Sequence, residues 1–303
     1  MNGMKSRSKT FAAIAAIVLA GAGAQAASAL SLGPVSQTNI SNNFNPAFYE
    51  ASGLGLAKNQ TKLWSVSDSN FTMYKMELNG AKAEDFTPTP ASSSVPTITN
   101  TDFEGVTFGP PPPSVADDHF IYLANERVYG VVPVNYETRK YNAQVLLSSM
   151  TGYDTVNCLG GIKTVKGEID ASDSNSGLEG ITWDSDAGYF YVIKEKNPGL
   201  MIQISEDLGS ITGCRRLTFS SKNGVSGDYS DISYDPTRQQ FWILSDESEA
   251  VYLYNWNTGA SQRFPLTYTH GEGVSFNPYN NRLYIVTDNG QGSNSYLYTY
   301  NVQ

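Results

Sequence analysis

A motif that recurs five times is the feature that most constrains the fold of this chain. The copies begin with ASGLGLAKNQTKLWSVSDSN at Ala51, FEGVTFGPPPPSVADDHFIYLANER at Phe103, LEGITWDSDAGYFYVIKEKNP at Leu178, YSDISYDPTRQQFWILSDES at Tyr229 and GEGVSFNPYNNRLYIVTDNG at Gly271. Each copy has a short strand, a polar turn, and a strand of β-branched and aromatic residues that ends in an acidic turn. Self-similarity of this kind is typical of repeat architectures.

More strands follow the two in each copy. A third occurs in every copy, as TMYKMEL from Thr72, VYGVVPV from Val128, LMIQIS from Leu200, AVYLYNW from Ala250 and YLYTYNV from Tyr296. A looser fourth follows the first four copies, for example SQRFPLTY from Ser261. No convincing helix is predicted after the first 29 residues. The pattern predicts an all-β protein, a β-propeller with five blades of four antiparallel strands.

The end of the repeat array predicts how the ring closes. The fifth copy reaches Gln303 after its third strand, so we expect the N-terminal segment from Ser31 to supply the missing strand of the last blade. The stretch Tyr141–Asn175 is long enough for a degenerate sixth blade, which stays open as an alternative. Two packed β-sandwich domains are a further alternative, but a sandwich would not repeat one motif five times.

The N-terminal segment resembles a secretory signal. Lys5, Arg7 and Lys9 precede an apolar run over residues 11–20, and small-residue cleavage motifs follow it. We predict a signal peptide over residues 1–29 and a single propeller domain over residues 30–303, exported to the periplasm or secreted. An uncleaved anchor is the alternative, although the run is short for a membrane helix. No stable membrane span is expected.

The charge balance limits the partners. The chain has a formal net charge of −9, and the predicted leader holds three of its cations, so the mature chain is more acidic. Nucleic acid and anionic membrane surfaces are therefore unfavourable partners. We expect a small molecule or an envelope protein as the partner, and a monomeric chain.

Two cysteines and two histidines restrict the covalent and metal chemistry. Cys158 and Cys214 can form a disulfide in an exported protein, or stay unpaired. Together with His119 and His270 they cannot build the usual four-ligand zinc site. Trp64, Trp183 and Trp242 fall on predicted strands, where packing between blades is favoured over a sugar-stacking role.

Alignment of the copies reveals two columns of polar residues. The first column precedes the inner strand of each blade and consists of Ser52, Glu104, Glu179, Ser230 and Glu272. The second column ends the next strand and consists of Asp68, Glu126, Glu195, Asp246 and Asp288. The columns are 16 residues apart in four copies and 22 apart in the second, where a proline-rich loop is inserted. Antiparallel pairing brings both columns to the same end of the blade.

So many carboxylates at one mouth require compensation. We expect some to be protonated, some to pair with Arg127, Lys194 or Lys196, and some to bind a hard cation such as calcium. Glu104, Glu179 and Glu272, each followed by glycine, are the predicted calcium ligands. The alternative for the second column is that its acids accept backbone N–H groups in turns and have only a structural role.

Three functions are compatible with this pattern. The favoured one is a binding protein that holds a cation, and a small molecule or envelope partner, at the acidic mouth of the central channel. The second is a metal-dependent hydrolase of lactones or phosphate esters, with Asp246 or His270 as catalytic candidates. The third is a structural scaffold without a channel ligand.

Four copies resemble the SdiA-regulated (YjiK-like) family of bacterial envelope β-propellers. The resemblance is carried by NSGLEGITW with FYVIKEKNP, by IYLANER, by WILSDES after DYSDISYD, and by GEGVSF with LYIVTDN. The turn from Lys194 to Pro198 is its most specific part. The resemblance implies an envelope-exposed propeller and leaves the activity open. This chain has Ser230-Asp231 where Ser-Gly is commoner in the family, so the first column of the fourth blade departs from that pattern.

Overall fold

Five small antiparallel sheets follow one another along the chain in the computed structural model, which confirms the predicted five-bladed β-propeller. The structure describes residues 30–44, 48–113, 115–171, 176–219, 227–268, 270–288 and 294–303. The predicted signal peptide lies outside the described residues. Residues Ser31–Gln303 form one compact unit.

In most blades the strands follow in chain order from the inside of the ring to the outside, whereas the outer edges of the second and fifth blades each take a strand from earlier in the chain. Strand β1 (Leu32–Asn39) precedes the first blade, which comprises β2 (Leu54–Leu56), β3 (Lys62–Ser67), β4 (Asn70–Glu77) and β5 (Lys82–Phe86) and is followed by β6 (Thr89–Pro90). The second blade contains β7 (Phe103–Phe108), β8 (Phe120–Asn125), β9 (Gly130–Asn135), β10 (Lys140–Tyr141) and β11 (Val145–Leu146). The third blade contains β12 (Leu178–Asp184), β13 (Tyr189–Lys194), β14 (Leu200–Ser205) and β15 (Ile211–Arg216). The fourth contains β16 (Tyr229–Asp235), β17 (Gln240–Ser245), β18 (Ala250–Tyr254) and β19 (Ser261–Pro265), and the fifth contains β20 (Gly271–Asn277), β21 (Arg282–Thr287) and β22 (Tyr296–Val302).

Strand β1 closes the ring, as the end of the repeat array predicted. It pairs antiparallel with β22 and becomes the outermost strand of the fifth blade, in the order β1-β22-β21-β20. The register joins Leu32 to Val302 and Asn39 to Tyr296. The first and last strands of the described chain are therefore hydrogen-bonded to each other, and the edge of β22 that faces β1 is not left unpaired.

The connection between the second and third blades is not a sixth blade. Its described residues form β11, a 3₁₀ turn over Leu147–Ser149 and the helix α1 (Val165–Ile169). The expectation that no helix follows the leader was therefore wrong at this point. Thr164 caps the helix by accepting a hydrogen bond from the backbone N–H of Gly167.

A disulfide holds this connection against the third blade. Cys158 in the connection is bonded to Cys214 in the outer strand β15. Isolated bridges join Thr151 to Ser210 and Leu159 to Arg215, in parallel orientation. The connection thus covers the outer edge of the third blade, which would otherwise be open to pairing with another chain.

The core lies between the blades. Strands such as β13 (YFYVIK) and β17 (QFWILS) are buried along almost their whole length, because each blade is covered on both faces by its neighbours. Trp64 and Trp242 are 1% and 0% exposed, as expected for packing between blades. Among the described residues, no helix has the length and apolar character required to cross a membrane.

Candidate functional site: the acidic mouth

The first column of polar residues sits on a backbone irregularity that the sequence did not reveal. Glu179 is skipped in the pairing of β12 with β13, so it is the extra residue of a β-bulge. Glu104, Ser230 and Glu272 are skipped in the same way in their own blades. A bulge redirects the side chain of its extra residue and recurs next to functional sites. The repeated bulge aims these side chains at one end of the ring.

The residue after each member of the first column belongs to a tight ring around the axis. It is glycine in four blades, Gly53, Gly105, Gly180 and Gly273, and aspartate in the fourth, Asp231. A Cβ atom at Gly53 would lie 2.4 Å from the carbonyl oxygen of Glu104, and one at Gly180 would lie 2.7 Å from the Asp231 carboxylate. Neighbouring inner strands are in contact here, and the four glycines leave room for that contact.

Asp231 closes the centre of this ring. Its carboxylate accepts hydrogen bonds from the backbone N–H groups of Leu54 (3.1 Å), Val274 (2.8 Å) and Ile232 (2.8 Å), which belong to three different blades. The side chain is fully buried, and burial raises its pKa well above the ordinary value. The predicted central channel is therefore blocked at this level. The departure from Ser-Gly in the fourth blade now has a physical role, since Asp231 satisfies edge N–H groups that would otherwise be unpaired.

The second column meets the first at the same end of the blades. In four blades its backbone N–H bonds to the carbonyl of the residue two positions before the first column: Glu126 to Asp102 (2.9 Å), Glu195 to Gly177 (3.1 Å), Asp246 to Asp228 (3.2 Å) and Asp288 to His270 (3.0 Å). We call this end of the ring the acidic mouth, defined by the acids of both columns together with Asp102 and Asp228.

These hydrogen bonds expose a third column that the sequence analysis missed. It consists of Glu50, Asp102, Gly177, Asp228 and His270. Three of its members are acids, so the negative charge at the mouth is larger than the two columns indicated. Alignment alone would have found this column, because it lies two residues before the first one in every copy. Asn289, next to Asp288, lies outside the described residues.

Two groups of carboxylates at the mouth have the spacing of a cation site. Asp102, Glu104 and Glu126 form one group, and Glu126, Glu179 and Glu195 form the other; within each group, one ligand atom per residue lies within 4.8 Å of the others. Glu126 belongs to both. A Cβ at Gly177 would lie 2.4 Å from Cγ of Glu126, so glycine there leaves room for Glu126 to reach the third blade.

The predicted ligands Glu104, Glu179 and Glu272 divide between these groups. Glu104 belongs to the first and Glu179 to the second, whereas Glu272 belongs to neither. The negative charge of Glu272 nevertheless acts on Glu179, and that of Glu104 acts on Glu272. All three therefore lie close enough at the acidic mouth for their charges to interact. Glu126 is the residue that links the two groups.

Burial and mutual repulsion raise the pKa values of these acids. Burial, followed by the charge of Asp68, raises the pKa of Glu104 well above its ordinary value, and burial followed by Glu104 does the same for Glu179. Burial and Asp102 raise the pKa of Glu126 to about 7, and burial and Asp228 raise that of Glu195 to about 8. The mouth is therefore short of positive charge.

Asp68 shows the same shortage at the first blade. Burial, followed by the charge of Glu50, raises its pKa to about 6. Its Oδ1 atom is buried and has no hydrogen-bond partner among the described residues. Ser52 and Ser230, the non-acidic members of the first column, are buried, and Ser52 hydrogen-bonds to Glu104.

Two cations lie among the acids at the rim. Arg127 pairs with Asp102 and has its Nη2 atom 3.6 Å from Oε2 of Glu126. Lys196 pairs with Glu195 and lies 3.4 Å from Oδ1 of Asp228. These contacts follow the expected pairing, but each cation lies at the edge of the cluster.

The buried Lys194 organises the turn that carries Lys196. Lys194 is 0% exposed, and its Nζ donates to the carbonyls of Lys196 and, at 3.2 Å, of Pro198. The Asn197-Pro198 peptide bond is cis. The most specific part of the sequence resemblance is thus a turn that places one cation beside the acids of the third and fourth blades.

His270 and Asp246 form a pair at the fifth blade. The backbone N–H of His270 donates to Oδ1 of Asp246 at 2.5 Å, and its Nδ1 lies 3.6 Å from Oδ2. Burial raises the pKa of Asp246. Asp246 therefore accepts a backbone N–H, as the structural alternative for the second column predicted, and also contacts an imidazole.

Comparison with known proteins places the chain in a family. The family model described as SdiA-regulated matches residues 35–289, which include the first four repeats and the first two strands of the fifth. The chain belongs to the SdiA-regulated family. The match spans every residue of both acidic columns, so the acidic mouth lies within the part of the chain that the SdiA-regulated family model covers. No significant match to a curated protein sequence was found.

Solved structures share the fold at low sequence identity. A luciferin-regenerating enzyme is 14% identical, with a TM-score of 0.51 over 89% of this chain and 97% of that one. The glutaminyl cyclase of Myxococcus xanthus is 9% identical, with a TM-score of 0.56 over 90% and 98%. The PQQ-bound aldose sugar dehydrogenase of Streptomyces coelicolor is 12% identical, with a TM-score of 0.50 over 90% and 98%. At these identities the similarity concerns the fold alone.

Proposed function

We propose that this member of the SdiA-regulated family is an exported binding protein that holds a divalent cation, calcium, at its acidic mouth. The observation that carries the proposal is the pair of carboxylate groups that share Glu126. Carboxylates so close together repel one another, and a bound cation removes that repulsion.

The donor set fits calcium. Calcium takes six to eight oxygen ligands, in mono- or bidentate carboxylates and carbonyls, with flexible geometry. The two groups offer only carboxylate oxygens from Asp102, Glu104, Glu126, Glu179 and Glu195. The buried Oδ1 of Asp68, which lacks a partner among the described residues, is a further oxygen in this electrostatic network.

The partner of the site is a small molecule or an envelope protein that presents an oxygen to the cation. Asp231 is buried behind the acids, and Arg127, Lys196 and His270 contact acids at the rim, so the charged groups hold one another in place. Such a preformed site suits recognition of a small group. The disulfide between Cys158 and Cys214 supports export to the periplasm or the exterior, where such bonds persist.

Thermal unfolding of the EDTA-treated protein tests the cation. Calcium raises the Tm progressively, with the logarithm of its free concentration above the Kd, because it binds only the folded chain. Glu126→Gln abolishes this rise, and Glu206→Gln, at an exposed position outside the mouth, retains it. A Tm that does not respond to calcium in the wild type would leave a structural scaffold as the remaining function.

A metal-dependent hydrolase of lactones or phosphate esters is the second candidate. The contact of His270 with Asp246 favours it, since a paired imidazole can take a proton from water. Calcium would polarise the substrate oxygen. Turnover of a panel of lactones and phosphate esters, lost in His270→Gln while the calcium-dependent Tm rise persists, would support this candidate. Calcium binding without turnover would exclude it for that panel.

A further inference from the structure

The far end of the inner strands, opposite the acidic mouth, holds a separate cavity. Its volume is about 280 Å³, and all five inner strands contribute to its lining. The ring of glycines and the buried carboxylate of Asp231 lie between this cavity and the acids. The cavity is thus a dead-end pocket with its own opening, near the lower end of the size range of ligand sites, about 300–1,000 Å³.

The lining of this cavity combines apolar side chains with hydroxyl groups and contains one charged residue. Among the described residues of the lining, Lys58 is the single charged one, and its Nζ lies 3.8 Å from Oδ2 of Asp118. The hydroxyl of Thr182 accepts the backbone N–H of Tyr234 at 2.9 Å, and that of Ser233 accepts the N–H of Phe276 at 3.0 Å. A hydroxyl that already accepts one hydrogen bond still has its own proton to donate.

Aromatic rings surround the hydroxyl groups. Phe108, Trp183, Tyr234 and Phe276 occupy equivalent positions in four inner strands, one residue after Thr107, Thr182, Ser233 and Ser275. The cavity therefore offers hydrogen-bond donors and acceptors next to apolar ring surfaces. Sugar rings are complementary to both features, because their hydroxyl groups form hydrogen bonds and their C–H faces pack on aromatic rings.

A groove adjoins the cavity and extends the same chemistry. It shares Lys58 and Gln60 with the cavity and has a volume of about 780 Å³. Four amide residues, Asn59, Gln60, Asn79 and Asn280, line it together with Lys58 and with Glu77, which pairs with Lys62. Oδ1 of Asn280 is buried and has no hydrogen-bond partner among the described residues. Tyr279 is 88% exposed beside these amides, so its ring is available for stacking.

We propose that this face binds the end of a neutral oligosaccharide, with the terminal sugar in the cavity and the next sugar stacked on Tyr279. An anionic ligand would lose hydration in the cavity, where the one lining cation, Lys58, already pairs with Asp118. A purely apolar ligand would leave the hydroxyls and the Asn280 oxygen without partners. The site is independent of the acidic mouth and of the cation.

Calorimetric titration of the mature protein with trisaccharides tests this proposal. The panel contains neutral α-glucan, β-glucan, mannan and N-acetylglucosamine trimers and, as a charged comparison, a galacturonate trimer. We expect at least one neutral trimer to bind and the galacturonate trimer not to bind. Tyr279→Ala weakens binding about tenfold, the equivalent of a lost aromatic contact of about 1.4 kcal/mol.

Two further variants separate a site from a general effect. Ser185→Trp, at an exposed position on the rim of the cavity, blocks entry and abolishes binding. Tyr49→Ala removes a tyrosine that is 37% exposed and lies outside both the cavity and the groove, and it leaves the Kd unchanged. Failure of every neutral trimer to bind, or binding that is insensitive to Tyr279→Ala and Ser185→Trp, would overturn the proposal.

Discussion

Glu126 is the residue on which the electrostatics of the acidic mouth depend most directly, because it belongs to both carboxylate groups. Its ordinary pKa of 4.5 rises to about 7, first through burial and then through Asp102. Between these two values the folded chain binds more protons than the unfolded chain. Its contribution to stability therefore decreases as the pH rises through this interval.

We predict that without calcium the stability of the protein falls as the pH rises from 4.5 to about 7. Glu126→Gln makes that fall shallower and raises the stability above this interval by about 1–3 kcal/mol. Urea unfolding at a series of pH values measures the effect, with Glu206→Gln as the exposed control. A variant less stable than the wild type at every pH would mean that Glu126 is a structural cap.

Asp231 differs from Glu126 in its surroundings. Glu126 lies among other carboxylates, whereas the hydrogen-bond partners of Asp231 are backbone N–H groups. Asp231→Ala leaves the N–H groups of Leu54 and Val274 without an acceptor at the axis. We expect a loss of about 2–5 kcal/mol in unfolding free energy, because each buried N–H group that loses its acceptor costs about 1–3 kcal/mol. Asp154→Ala, at an exposed position, is the control and changes stability by less than about 0.5 kcal/mol. Equal stability of the two variants would contradict the role of Asp231.

At the level of single residues, the sequence predicted which residues lie at the acidic mouth better than it predicted the contacts between them. Both columns were visible because the repeats align without gaps apart from one loop. The link through Glu126 was not visible, because it depends on Gly177 of the next blade leaving space for its side chain. The role of Asp231 was hidden for the same reason, since its partners lie in blades far away in sequence.

The inner strand is the element that organises the site, because its bulge aims one residue at the mouth and its next residue touches a neighbouring blade. A Cβ at Gly105 would lie 2.7 Å from the backbone nitrogen of Ile181, whereas at Gly33 in β1 the nearest atom is 3.9 Å away. We predict that Gly105→Ala lowers the Tm strongly and that Gly33→Ala does not. Comparable melting of the two variants would contradict contact between the inner strands.

The connection between the second and third blades depends on its disulfide. The sequence separation between Cys158 and Cys214 is 56 residues, so the bond restricts a large loop of the unfolded chain. We predict that Cys158→Ser with Cys214→Ser lowers the unfolding free energy by about 2–4 kcal/mol. Reduction with dithiothreitol should lower the stability of the wild type to that of the double variant. No response to reductant would show that the bond is not formed in the folded protein.

The element pattern also shows where sequence evidence stops. The buried second and third strands of every copy were predicted, because blades covered on both faces need continuous runs of β-branched and aromatic residues. The bulges and the helix α1 were not predicted. A bulge adds one residue without changing composition, and a five-residue helix is too short to produce a periodic pattern.

For the whole molecule, the five repeats and the closing strand β1 fixed the architecture, because only a ring lets each blade bury both faces. The same repeat symmetry places different kinds of side chain at the two ends of the ring. The acids of both columns collect at one mouth, whereas the cavity and groove at the other end are lined by hydroxyl, amide and aromatic groups, with Lys58 and Glu77 as their charged residues. The blocked axis at Asp231 separates the two ends. Any ligand of one end is therefore expected to bind without direct contact with a ligand of the other.

The most direct measurement is the anomalous diffraction of crystals of the mature protein grown with calcium. The cation proposal predicts a peak coordinated by Glu126 together with carboxylates of Asp102 and Glu104, or of Glu179 and Glu195. The peak is expected to be absent from crystals of Glu126→Gln. No peak at the acidic mouth of the wild type, or a peak only at the group of Asp117, Asp118 and His119, would contradict the proposal.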